Sequence, residues 1–306
     1  MPARNCFALL LAALLAASPA FAAAQSHRDD DDDTQSRIDT TVALSPGGVV
    51  ELSLVSGEIK VTSWSSDKVQ IKASTEGGIL RVDATPGRVS LSVRSDRGDM
   101  GDTQYQVTIP AGARLIAHSV SGDVTTSGGS EVEAHSTSGD VDVSTVTGRA
   151  TVESVSGSVK ATRIGAGLRV SSVSGDVTAD NVTGDIDAQS VSGDIVLGGA
   201  RSSFVRTQTV SGETRFGGTI DRNGRYEFHS HSGDVELAIS PAGVTFSVQT
   251  FSGDLQSDFP MTLQPGAEMG SKHMEFSING GGARVAVETF SGDVTIERAG
   301  TSAPQD

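Results

Sequence analysis

The sequence predicts an all-β fold, a single-stranded β-solenoid (β-helix-like) of about 18–20 residues per coil, with irregular β coils at its N-terminus. Three observations predict it. The phrase Ser-Gly-Asp recurs at Gly122, Gly139, Gly175, Gly193, Gly233, Gly253 and Gly292, with looser copies at Gly57, Gly148, Gly157, Gly184 and Gly212. From Gly122 to Gly193 the strong copies stand 17 or 18 residues apart, and Gly175, Gly184 and Gly193 follow at nine-residue steps. Apolar residues alternate with polar ones around each copy, and valine and isoleucine dominate, which is the period of a strand and not of a helix. A sandwich or barrel of antiparallel strands also gives short strands at regular spacing. The solenoid is preferred because each copy keeps the same residue in the same place, which hairpins do not require.

Each half-repeat reads as a strand, a bend and a second strand. Glycine at the bend permits a positive φ or a close backbone approach, and the flanking Ser and Asp bond the local backbone. The structural bend glycines are thus Gly122, Gly139, Gly157, Gly175, Gly184, Gly193, Gly212, Gly233, Gly253 and Gly292. Two columns are expected to face inward. One lies two residues before the glycine (Val120, Val155, Val173, Val182, Val191, Val210, His231, Phe251, Phe290). The other lies two after it (Val124, Val141, Val159, Val177, Ile186, Ile195, Val235, Leu255, Val294). Ala161, Ala179 and Ala188 imply a narrow early core. Phe204, Phe216, Phe228, Phe246 and Phe276 imply a wider one later. The later steps of 19, 21 and 20 residues fit that widening, and the last step of 39 reads as one coil carrying an inserted loop.

In chain order, residues 1–24 carry the pattern of a secretory signal: Arg4, an apolar run from Phe7 to Ala17, and an A-x-A site at Ala20–Ala22 or Ala22–Ala24. The run is too short to span a bilayer. Cys6, the only cysteine, lies inside this segment, so the mature chain is expected to lack thiols and disulfides. Residues 25–37, with Asp29 to Asp33, read as an acidic disordered linker. Removing Arg4 takes the formal charge of −15 to −16, which argues against nucleic acid and anionic membrane as partners. Residues 38–112 read as irregular N-terminal coils or a cap, punctuated by Pro46-Gly47-Gly48, Pro86-Gly87 and Pro110-Ala111-Gly112, with a loop at Gly98 to Asp102. Residues 113–298 are the repeat region, with an insertion at 258–274, and 299–306 form a tail.

Three stretches carry a resemblance: "VELSLVSGEIKVTSW" (50–64), "YQVTIPAGARLIAHSVSGDV" (105–124) and the run of "VSGDV" phrases. Over residues 40–298 the chain resembles the DUF4097 family of bacterial envelope proteins, labelled candidate adhesins. The resemblance implies a β-strand-repeat fold and an exported or surface location. It brings no catalytic motif. An association of some relatives with envelope-stress signalling implies a second, regulatory role.

Catalytic signatures are absent. There is no G-x-S-x-G elbow, no H-E-x-x-H, no C-x-x-C and no phosphate-binding loop; Gly165–Gly167 and Gly280–Gly282 read as turns. His229 and His231 share one face of a strand, a spacing open to a two-histidine metal site, but the column places His231 in the core. Asp123, Asp140, Asp176, Asp185 and Asp194 form a column in which stacked carboxylates either cap their own bends or hold cations, calcium being the candidate. The expectation is an exported, non-enzymatic protein that needs no cofactor and presents a polar surface. Its expected partner is an envelope polymer, glycan or protein, with self-association through open solenoid ends as a further option.

Overall fold

The computed structural model describes residues 36–94, 101–240, 243–263 and 273–299. The signal pattern, the Asp29–Asp33 run, most of the Gly98–Asp102 loop, part of the 258–274 insertion and the tail lie outside these. Among the described residues every regular element is a strand. They form a parallel β-solenoid.

One coil shows how the sequence makes it. Leu168–Ser174 runs along one face, which we term face A. Ser174-Gly175-Asp176 bends the chain, and Val177–Val182 returns along the opposite face B. A second bend at Thr183-Gly184-Asp185 leads into Ile186–Ser192, back on face A and 18 residues on from its parallel, in-register partner. Each coil is therefore a flattened loop of two strands. Val177, Ala179 and Ile186, with Ala188 and Val170, are buried between the faces. Burying each valine or isoleucine stabilises the fold by roughly 1.5–3 kcal/mol, and stacking is the only way these two thin faces can do it.

The bend glycines tie coil to coil. Gly139, Gly157, Gly175 and Gly193 have φ of 130°, 133°, 144° and 146°. A Cβ on Gly175 would lie 2.3 Å from the carbonyl oxygen of Gly157, and one on Gly193 would lie 2.4 Å from that of Gly175. Successive backbones touch here, and only hydrogen fits between them.

The aspartates reach across the same seam. Asp123 Oδ1 accepts the backbone N–H of Asp140 (2.9 Å), Asp140 that of Ser158 (2.8 Å), Asp176 that of Asp194 (3.0 Å) and Asp194 that of Glu213 (2.7 Å). The expected capping of each residue's own bend is thus replaced by capping of the next coil. A charge-assisted bond of this kind outweighs the repulsion of solvated carboxylates one coil apart, which is about 1 kcal/mol in water. Where Glu213 takes this place, burial pushes its carboxyl above the usual range, with Arg215 pulling the other way.

Gly184 and Asp185 belong to the opposite edge. A Cβ on Gly184 would meet Gly167 and Ala166, not the Gly175 column. The nine-residue step therefore alternates between two unlike edges. At the second edge each coil has a positive-φ residue at the end of its face-B strand: Gly128, Thr145, Arg163, Asn181 and Gly199, with φ between 56° and 103°. This residue shifts the alternation by one, and so Val146, Ile164 and Val182 turn inward.

At the first edge the phase holds until the glycine itself. Leu168, Val170 and Ser172 point in, so Val173 points out. The column two before the glycine, expected in the core, is half exposed at Val120, Val155, Val173, Val191, Val210, Phe251 and Phe290, and His231 is exposed with it. A column of small hydroxyl residues closes the core here instead. Ser119, Ser154 and Ser230 donate to the carbonyls of Gly122 (2.9 Å), Gly157 (3.4 Å) and Gly233 (3.0 Å). The larger late core is real but is built from Phe216, Tyr226, Phe228, Phe246 and Phe276. Tyr226 Oη donates to Ser202 O (2.7 Å) and accepts the N–H of Asp221 (2.8 Å).

The last step of 39 residues is not one coil with a loop. The strand Ala283–Ser291 lies between Thr214–Ser232 on one side and Val244–Ser252 on the other, parallel to both. Asp234 caps the N–H of Asp293 (2.7 Å) and Asp293 caps that of Asp254 (2.8 Å), so the spatial order is 233, 292, 253. The final coil fills a slot left open between two earlier ones. Beyond it His273–Ile278 pairs antiparallel with Val244–Ser252. At the other end Ser36–Ala43, Lys68–Thr75 and Ile79–Thr85 add antiparallel strands over the first coils. Among the described residues the open terminal coils expected for end-to-end pairing are therefore largely covered, leaving Leu255–Ser257 as a three-residue edge of face B.

Gly175→Ala should lower the unfolding free energy by about 2–4 kcal/mol in thermal melts, whereas Thr145→Gly, which relieves a β-branched residue at positive φ, should raise it by about 1 kcal/mol. Asp140→Ala should cost about 1 kcal/mol and Asp185→Ala less than about 0.5 kcal/mol. With Cys6 replaced by serine, His229→Cys and Glu288→Cys should oxidise to a disulfide, while His229→Cys with Gln249→Cys should not; non-reducing electrophoresis reads the coil order directly.

Candidate binding face

In-register stacking turns each outward position of face A into a column. The apolar ridge runs Val120, Thr137, Val155, Val173, Val191, Val210, His231, Phe290, Phe251, in spatial order. At its C-terminal end the rings of His231 and Phe290 stack at 5.1 Å and those of Phe290 and Phe251 at 4.9 Å, the latter pair tilted by only 3°. Phe251 is 57% exposed and Phe290 50%. A solvent-facing apolar column running along most of the solenoid exceeds the scattered single residues of an ordinary surface.

Two residues upstream lies a polar column: His118, His135, Glu153, Ser171, Gln189, Gln208, His229, Glu288 and Gln249. Between this column and the ridge lies a groove of about 720 Å³ that crosses six strands, from Ser171 and Val173 to Gln249 and Phe251. Its base is the backbone of the buried Ser and Thr column. A smaller hollow of about 390 Å³ continues it beside His118, His135 and Val155.

Two of the histidines on this face, His135 and His229, are engaged with carboxylates. His135 contacts Glu153 through Nδ1 (3.1 Å) and Glu133 through Nε2 (3.0 Å), and its ring stacks on His118 at 5.0 Å. The His135 contact, aided by Arg114, holds the Glu133 carboxyl below its usual range against the opposing effect of burial. His229 Nδ1 contacts Glu288 at 3.1 Å. His229 and His231 thus face solvent from separate columns, His229 in the polar one and His231 in the aromatic stack. A third outward column pairs charges coil to coil, as in Arg169–Asp187 (2.9 Å).

Of the residues singled out in the sequence, Asp123, Asp140, Asp176 and Asp194 share the seam, and Asp185 lies across the molecule from them. Among the described residues no cluster of three or more His, Cys, Asp or Glu is arranged to hold a metal ion. The placing of Gln189, Gln208 and Gln249 in one polar column, the last two separated by His229 and Glu288, escaped the sequence reading, as did the exposure of the ridge. Counting the alternation forward from Leu168, and not outward from the glycine, would have found both.

Among curated proteins none matches the sequence significantly. Two solved structures align over most of their length. One is a candidate adhesin from Bacteroides fragilis at 13% identity and a TM-score of 0.44, covering 85% of this chain and 96% of its own. The other is a candidate cell adhesion protein from Clostridium sporogenes at 11% identity and a TM-score of 0.22, covering 86% and 99%. The profile described as Toastrack DUF4097 matches residues 50–203 and 100–297, which together take in the whole parallel stack. The chain belongs to the Toastrack DUF4097 family.

Proposed function

We propose that this is an exported, non-enzymatic binding protein of adhesin type that engages its partner through the outer surface of face A. The observation that carries the reading is the half-exposed apolar ridge beside a long, shallow groove, a surface whose exposure costs solvation in the free protein and is relieved by contact. The pairing of His135 and His229 with carboxylates, while the Ser and Thr side chains at the base of the groove are buried, supports recognition over hydrolysis. Export rests on the pattern of residues 1–24. Among the described residues no helix is long and apolar enough to cross a membrane.

Purified protein should sediment with intact bacterial cells or isolated envelope, saturably. Val191→Thr with Val210→Thr should weaken that binding at least severalfold while leaving the melting curve in place, because Thr137 already occupies the same column. Absence of sedimentation, or binding indifferent to the ridge, would sink the proposal.

A further inference from the structure

Resting on that reading, we infer that the groove takes an uncharged polysaccharide, laid along the solenoid axis with its sugar rings against the Val173–Phe251 ridge. The shape of the ridge comes first. It is one residue wide and repeats at the coil spacing, about 4.8 Å. An extended peptide presents same-face side chains every ~6.6 Å and loses register with the ridge within two coils. A docking α-helix brings an apolar stripe about 100° wide, and here polar columns begin immediately beside the ridge. A chain of pyranose rings is a ribbon with apolar C–H faces and hydroxyl edges, and it advances by close to one coil per ring.

The flanking chemistry agrees. On one side stand the carboxamides of Gln189, Gln208 and Gln249, each with donors and an acceptor, which suits hydroxyl groups that are both. On the other side, across the bend, stand Asp176, Asp194, Asp234, Asp293 and Asp254. In Asp176, Asp194, Asp234 and Asp293 one carboxylate oxygen is engaged with the neighbouring coil. The second oxygen of each is an acceptor for ligand hydroxyls.

Charge then selects within the class. The residues lining the groove include no lysine or arginine, and its carboxylate, Glu288, is joined by the aspartate rail on a chain of net charge −15. Acidic polysaccharides and phosphate polymers are repelled from such a surface. The groove spans about 24 Å over its six strands, room for a short oligosaccharide, and its volume falls within the few-hundred to 1,000 Å³ range of ligand sites.

The test is retention on immobilised neutral polymers (glucan, mannan, galactan, xylan and chitin) against polygalacturonate and heparin. At least one neutral polymer should retain the full-length protein and neither acidic one should. A hexasaccharide of the retained polymer, titrated calorimetrically, should bind at least tenfold more weakly to the Val191→Thr, Val210→Thr variant and to Gln208→Ala, and unchanged to Lys160→Ala on face B. Retention by the acidic polymers alone, or by none, overturns the inference. So does neutral-polymer binding that ignores the ridge. If cells still bind through the ridge but protease treatment of the cells abolishes it, the partner is a protein: the polysaccharide assignment falls and the binding face stands. If no cell or envelope binding occurs at all, both fall.

Discussion

The structure depends on the approach of backbone to backbone at one seam. At each Ser-Gly-Asp bend the carbonyl of one glycine sits where the next glycine would carry its Cβ. That contact fixes the axial step and the register together, since a slip of one residue would drive a side chain into the neighbouring coil. Parallel pairing without register shifts through the 18-residue coils follows from it, and so does the capping of each coil by the aspartate of its neighbour. Register shifts appear first in Ile195–Ser211, where coils lengthen and Phe216, Tyr226 and Phe228 enlarge the core.

Strict register makes a repeat into a surface. A valine that would be an ordinary exposed residue becomes, after several coils, a ridge; a glutamine becomes part of a polar column. Inside, the same rule gives continuous columns of valine, isoleucine and alanine. The two edges of the coil differ in where the positive-φ residue falls. On the second edge it directly precedes Val146, Ile164 and Val182 and rotates them into the core; on the first it is the bend glycine, two residues after Val155, Val173 and Val191, which stay outside.

The same regularity explains the interleaved C-terminus. Every face-A strand presents nearly the same edge, so Ala283–Ser291 pairs as well with Thr214–Ser232 as Val244–Ser252 would have done. The capping strand selects the observed order. His273–Ile278 pairs antiparallel on the far side of Val244–Ser252, and stacks Phe276 on Phe246 at 5.1 Å, which leaves the inner side for the final coil. The result is an end whose outermost face-A strand is covered, closing an edge that would otherwise invite pairing with another chain.

The sequence by itself determined the solenoid, its coil length, the bend glycines and the valine and alanine core, because each repeats at fixed spacing and the period of a strand is short enough to read locally. It also showed that aspartate follows the glycine. It did not show that this aspartate bonds the next coil, since that partner lies 17 to 19 residues away and is defined only by stacking. Whether Val173 faced in or out hung on a one-residue phase, and the glycine interrupts the alternation at that very point. The order of the last two coils could not be read either, because equivalent repeats are interchangeable in sequence and are ordered only by the strands that cover them. Tertiary structure alone therefore decided the ridge, the groove and the chemistry they offer.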